Sequence, residues 1–563
     1  MRRTRITALL AVVALLLSAC SSLPRSGEVH AANPSPTQGG NIGLVGHPPP
    51  EDATPEQIIT GFLAACRAGV EDDFAVARQY LMRSASADWD PAAQVRVYPD
   101  NQNIQTSRTA TGGVRARVGS LGTLSSTGVY TESANDAVSV ADFSLAKNQD
   151  GQWRIVSLDD GIFLAEHMFF DQLYVESPVY FLSPDSDALV ADLHWFPRRD
   201  APTRAINALL EGPSQWLADG VTTAIPEDTT LTKQVQVQDG VASIELSANV
   251  LSMPQRQRSN MVAQVRRTLM ASNSIQSVEI SVQGQVLETD LVPDLAEYPY
   301  GSFPLSVLAD GVPATVVDGQ TVPVIEDSTV GELGLSALAV GYQNTSSRYA
   351  ALAREGSSLV AIDSASGTYE TLLPGANLIE PSFDSLEWIW SGEKTNTGYL
   401  SVARFGGTGP LQVGASWLQG MSVRDIAVSR EGSRIVIVAE TGGELSVFVS
   451  SISRAADGTP VSLGDPIRVG QRLSDITEVS WVDATELLVL GRTAAGSDMS
   501  LYSLHIGGPT SRVFGVETGT VSLTTGRGEQ SAVILTDSGS VIGRTGGAWR
   551  NLATSVSAVA YPG

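Results

Sequence analysis

Lysine is almost missing from this chain: Lys147, Lys233 and Lys394 are all there is in 563 residues, and no Gly-Lys dipeptide occurs. Without a lysine closing a glycine-rich loop there is no phosphate-cradling P-loop. Cysteine is scarcer still, with Cys20 and Cys66 only. Once Cys20 is alkylated (see below), no intramolecular disulfide can form. Cys66 lies in an apolar helical pattern and is expected to be a small core residue, not a nucleophile. The five histidines are His30, His47, His167, His194 and His505, with no His-x-His or His-Glu-x-x-His spacing. A zinc site has nothing to start from. His167 and His194 sit in apolar stretches and are expected to be hydrogen-bonded packing residues.

No Gly-x-Ser-x-Gly elbow occurs, which excludes the simplest serine hydrolase. Two Ser-x-x-Lys matches exist, Ser144 with Lys147 and Ser391 with Lys394. Penicillin-binding enzymes need that pair on one helical turn, joined by Ser-x-Asn and Lys-Thr-Gly. Ser144 follows an alternating strand pattern, and Lys394-Thr395-Asn396 lacks the glycine. No catalytic residue, metal ligand or cofactor is expected.

Positive charge is in deficit as well: 36 Lys and Arg stand against 60 Asp and Glu, a formal charge of −24. Such a chain repels phosphate backbones, so nucleic acid is not an expected partner. What is present is enough to fold. Hydrophobic residues make up 42% and charged ones 17%, with 53 Gly, a composition suited to strands and turns in three or four domains.

No apolar run is long enough to span a bilayer. The longest at the start, Ile6–Leu17, rises about 18 Å as a helix against about 30 Å of hydrocarbon. Preceded by Arg2, Arg3 and Arg5, it has the form of a signal peptide over residues 1–19. Leu17-Ser18-Ala19-Cys20 resembles the bacterial lipobox, which implies cleavage between Ala19 and Cys20 and diacylglycerol on the Cys20 thiol. The alternative is a plain secretory signal with an incidental cysteine. Loss of three Arg with the leader takes the formal charge to −27, and the lipid becomes the expected sole membrane anchor. Residues 20–50 are a tether, with six Pro and five Gly in the thirty positions Ser21–Pro50.

The folded part divides into segments. In 51–176, Thr54-Pro55-Glu56-Gln57 opens a helix that Gly69 should stop. A second helix is expected over Glu71–Met82, then strands such as Val114–Val118, Val138–Phe143 and Trp153–Val156. This order resembles a small NTF2-like α+β cone. In 177–290 the spacing predicts a helix Ala205–Glu211, strands Leu231–Gln238 and Val241–Ser247, a helix Gln255–Ala271 and a strand Val278–Val282. The run AINALLEGP…TAIP…DGVASIELS resembles the GerMN (sporulation and spore-germination) domain. Residues 291–334 are a linker or a partial blade.

From Leu335 the helix signal vanishes. Strands starting at 335, 386, 426, 479, 521 and 559 recur at intervals of 51, 40, 53, 42 and 38 residues, close to blade length. Arg354-Glu355-Gly356-Ser357 and Arg430-Glu431-Gly432-Ser433 repeat one inter-strand turn. A propeller of about five or six blades over 335–563 is predicted, with a β-sandwich pair as the alternative. The fold class is thus multidomain, two small α+β domains followed by an all-β propeller. Lipobox tether, two α+β domains and propeller in this order resemble the actinobacterial LpqB lipoproteins. That resemblance implies a non-enzymatic lipoprotein on the extracytoplasmic face of the cell membrane. It implies a partner too, the sensor domain of an MtrB-type two-component histidine kinase, in envelope homeostasis and division. A scaffold for peptidoglycan or carbohydrate is the second class, and a wall hydrolase or transpeptidase the third.

One charge cluster stands out. Arg256, Arg258, Arg266 and Arg267 gather on the predicted helix 255–271 within an acidic chain. They are either a solvated face or the candidate surface for an acidic partner or an anionic wall polymer.

Overall fold

The computed structural model describes residues 46–563 except 290–291, 297–302, 326–327, 343–347, 355, 495 and 546. Ala19, Cys20 and most of the tether lie outside the described residues. Helix α1 (Pro55–Asp72) opens on a capping box: Gln57 donates its N–H to the Thr54 hydroxyl, and Thr54 donates its own to the Gln57 side chain. Ile58, Ile59, Phe62 and Cys66 are buried on its inner face. Gly69 does not stop it. The helix continues to Asp72 and closes on Asp73 in the left-handed region, followed by Phe74 in the same region. Gly69 instead makes room for the Phe74 ring, since a Cβ there would lie 2.3 Å from it. That ring packs edge-on against Trp89 at 5.6 Å. The chain reversal replaces the expected helix Glu71–Met82 with a 3₁₀ turn (Ala77–Tyr80) and the short α2 (Arg83–Asp88).

Two four-stranded sheets complete the first domain. In Val114–Gly119, Val114, Ala116 and Val118 are buried while Arg115 and Arg117 are exposed, the alternation of a half-buried strand. A long hairpin missing from the sequence reading follows, Tyr174–Leu182 with Leu189–Pro197, matched over nine cross-strand pairs. The division expected at 176/177 falls inside its first strand. The second hairpin strand is buried along almost its whole length and the first is interrupted by Glu176-Ser177-Pro178, so neither period was legible. The middle domain then places α3 (Ala201–Glu211) and α4 (Gln255–Met270) against this hairpin and a four-stranded sheet. The expected strand Leu231–Gln238 is paired as a strand only over Gln236–Gln238, Leu231 making a single bridge to Leu246.

Among the described residues, six four-stranded blades make the propeller. Blades one to five begin with the inner strands Leu335–Val340, Ser382–Phe383, Ser422–Val428, Asp475–Trp481 and Thr520–Thr524. Blade six is closed by both ends of the region. Its inner strand Val556–Ala560 pairs antiparallel with Ser306–Ala309, to which Val312–Val317 and Gln320–Pro323 are added. The segment left between linker and partial blade therefore supplies three strands of blade six. Pro460–Leu463 joins blades two and three into one larger sheet. One apolar core runs from the hairpin, α3 and α4 through Val436, Val447, Trp481 and Leu504 of blades three and four. Trp195, near the hairpin's end, belongs to the core of the first domain. Residues Gly46–Gly563 form one compact unit.

Candidate functional site

The hairpin end is where the three domains meet. Trp195 donates its backbone N–H to the Gly128 carbonyl at 2.8 Å and its indole N–H to the Gly507 carbonyl in blade four at 2.9 Å. Both acceptors are left-handed glycines. A Cβ on Gly128 would sit 2.7 Å from Phe196, and one on Gly507 3.1 Å from the Leu193 carbonyl. Beside them Glu132 of the first domain accepts the N–H of Thr510 at 2.8 Å and its hydroxyl at 2.7 Å. Asn135 donates to the carbonyls of Arg472 and Thr493.

His194 is buried in this junction. Its Nδ1 lies 2.8 Å from the Thr127 carbonyl, and its Nε2 3.5 Å from an Asp192 carboxylate oxygen that also accepts the Ser214 N–H. Burial pushes its pKa down, but the hydrogen bond and charge of Asp192, with the Thr127 carbonyl, outweigh that and raise it. The expectation of a hydrogen-bonded packing histidine holds here. His167, by contrast, is half exposed and paired with Asp100 at 2.5 Å. A cleft of about 610 Å³ opens beside His194, lined by Thr127, Val129, Glu211, Trp216, Asp465 and Ile467. It draws on all three domains.

A second concavity is the propeller channel. Glu380, Asp425 and Glu478 face it, and Arg430 lines it too. The inner strands repeat a one-residue bulge, between Val423 and Asp425 and between Ile476 and Glu478. The bulge turns each acid toward the next blade. Asp425 accepts the N–H of Val479 at 2.8 Å, and Glu478 that of Leu523. These carboxylates thus staple blade to blade. Sequence reasoning missed them because the repeat lies in the bulge, not in residue identity. Burial in the narrow channel raises all three, Asp425 to about 7, with neighbouring acids adding to the effect on Asp425 and Glu478. Among the described residues no three His, Cys, Asp or Glu side chains are grouped to hold a metal ion.

Of the four candidate arginines on α4, Arg256 and Arg266 are exposed. Arg258 turns back to donate to the Leu251 and Met253 carbonyls, each at 3.2 Å. Arg267 lies over the Tyr180 ring at 5.0 Å and reaches its hydroxyl. The structure corrects the four-residue patch: two arginines fix α4 within its domain, and two face solvent.

Residues 48–170 match the family described as Lipoprotein LpqB, N-terminal domain, and residues 312–562 the Lipoprotein LpqB beta-propeller domain. Between them, residues 178–288 match the family described as Sporulation and spore germination. The chain belongs to the LpqB family. It is 27% identical to Lipoprotein LpqB of Cutibacterium acnes, over 98% of each chain. To Lipoprotein LpqB of Bifidobacterium longum it is 28% identical, over 79% of this chain and 77% of that one. Among solved structures it is similar to the first GerMN domain of the sporulation protein GerM from Bacillus subtilis. That likeness is 23% identical, covers 22% of this chain and 91% of the other, and has a TM-score of 0.18.

Neither Ser-x-x-Lys match of this LpqB-family chain is on a helix. Ser144 and Lys147 are three apart on the strand Val138–Lys147, where side chains alternate and the two face opposite ways. Ser391 is buried and donates to the Ile379 carbonyl at 2.6 Å. No described helix is long and apolar enough to cross a membrane.

Proposed function

We propose that this chain is a lipid-anchored binding protein of the extracytoplasmic membrane face. In this reading it docks, without chemistry of its own, on the sensor domain of an MtrB-type two-component histidine kinase and modulates it. Cys20 carries the anchor. The observation that carries the docking surface is the split of the α4 arginines: Arg256 and Arg266 project from a rigid helix of a chain otherwise strongly acidic. Exposed guanidinium groups pair bidentately with carboxylates, and anchoring both proteins to one membrane raises their effective concentration. Modest affinity is then sufficient. Crosslinking of the anchored chain to the kinase sensor domain, lost on Arg256→Glu with Arg266→Glu, is the expected result. Retained crosslinking would move the contact elsewhere.

The junction cleft favours a second reading, a scaffold for a peptidoglycan or carbohydrate segment. It offers Trp216 as an apolar wall and Glu211 and Asp465 as hydrogen-bond acceptors. Retention on purified cell wall, abolished by Trp216→Ala, would support it; equal retention by the variant would refute it.

A further inference from the structure

On the central hairpin Glu176 stands directly opposite Trp195 in the antiparallel register, so the two side chains share a face. That face meets one corner of blade four. The Trp195 indole reaches the Gly507 carbonyl, and the Glu176 carboxylate is subject to the charges of His505 and Asp483. The corner is internally tied: Ile506 donates to the Thr485 carbonyl at 2.9 Å, and Asp483 accepts the Thr485 N–H at 2.7 Å. Behind it Glu486 is buried and accepts the Ser503 hydroxyl. The His505 imidazole lies beside Glu486, its Nε2 at 3.9 Å, and its Nδ1 is buried without a hydrogen-bond partner among the described residues. Glu529 of the next blade adds a further negative charge toward Glu486.

We propose that the contact between the central hairpin and this corner of blade four is proton-linked. A proton held on Glu176 or Glu486 keeps the hairpin on the propeller, and its loss loosens the hold. The facing groups are Glu176 from the hairpin, Asp483, Glu486 and His505 from blade four and Glu529 from blade five. With Glu176 and Glu486 both ionised, four carboxylates crowd this one corner. A proton on either of the two lowers that repulsion across the joint. The neighbouring Glu132 clasp is satisfied by Thr510 and holds the first domain separately.

The titration agrees in sign. Burial raises Glu176, against the charge of His505 and with that of Asp483. Burial pushes Glu486 up to about 7, opposed by the Ser503 hydrogen bond and His505 and aided by Asp483 and Glu529. Glu486, raised in the folded state, supports it fully below its ordinary value of 4.5 and stops doing so as pH rises through about 7, and Glu176 acts in the same direction. The joint is therefore tight in mildly acid surroundings and looser above neutrality.

Hydrogen exchange on the full chain in detergent tests this at about pH 5.5 and about pH 8, after correction for intrinsic exchange rates. Protection on Tyr174–Leu182 and Ser500–His505 should fall about tenfold or more beyond any fall at Arg348–Ala353 in blade one at the higher pH. Glu176→Gln with Glu486→Gln should bring the fall at the joint down to that of blade one. Equal protection of the joint at both pH values, an equal fall in blade one, or an excess fall that survives the double variant would each overturn the proposal. If the double variant does not fold, the wild-type comparison and Glu176→Gln alone, at a half-buried position, still decide.

Discussion

Arg434 shows how much one side chain can carry. It is fully buried, pairs with Glu431 at 2.7 Å, donates to the Ala191 carbonyl of the central hairpin and lies over the Trp481 ring at 4.8 Å. Truncating it leaves the buried Glu431 uncompensated. Arg434→Ala should cost about 3–5 kcal/mol in denaturant unfolding, and Glu431→Leu with Arg434→Met should recover most of that loss. A double variant no better than the single one would contradict the assignment. Gly507→Ala asks for a Cβ at positive φ and against the Leu193 carbonyl. It should cost about 1–3 kcal/mol by the same measurement, and no measurable loss would contradict the joint described. Asp425, raised to about 7 by burial above its ordinary 3.8, supports the fold fully below 3.8 and stops doing so as pH rises through about 7. Thermal unfolding of Asp425→Asn should therefore vary less across that window than the wild type's. An identical pH dependence would remove Asp425 from the account.

Helix α4 was legible in the sequence to within one residue at its end, because its apolar positions repeat at helical spacing and Pro254 precedes it. The roles of its arginines were not legible. Arg258 and Arg267 are spent on carbonyls and a ring that only the fold brings near. Charge reversal at Arg256 and Arg266 should change stability by less than about 0.5 kcal/mol, whereas reversal at Arg258 or Arg267 should destabilise measurably. Equal effects from the two pairs would reject the division. The hairpin was illegible for a different reason: its second strand, buried on both faces, carries neither alternation nor helical period, and Glu176-Ser177-Pro178 interrupts the first. Phe74 likewise hid a reversal, since two consecutive left-handed non-glycine residues have no sequence signature. Five inner strands of the propeller were legible from their spacing, and the Arg-x-Gly-Ser turn pointed to duplication. In blade two the expected strand from Leu386 instead falls on a turn and the second strand Ile389–Ser391, the inner strand being only Ser382–Phe383. In blade three that turn is buried, with Arg434 just beyond it reaching Ala191; its counterpart in blade one begins with an exposed Arg354.

The whole folded body is a propeller closed by its own two ends, with two smaller domains pinned to blades three and four by one hairpin and by the direct bonds of Glu132 and Asn135. Closure puts 306–323 inside blade six. Limited proteolysis should accordingly spare that segment and cut in the Pro- and Gly-rich tether before Gly46, leaving most of Gly46–Gly563 together. Early cutting within 306–323 would contradict the closure. The central claim is that this body acts by docking through the outward arginines of α4. Its most direct test is the affinity of the anchored full chain for the kinase sensor domain in one lipid bilayer, measured against salt. The account predicts binding that weakens as salt rises and is lost in Arg256→Glu with Arg266→Glu, at unchanged thermal stability. Wild-type binding equal to that of the double variant, or no binding by either, would contradict it.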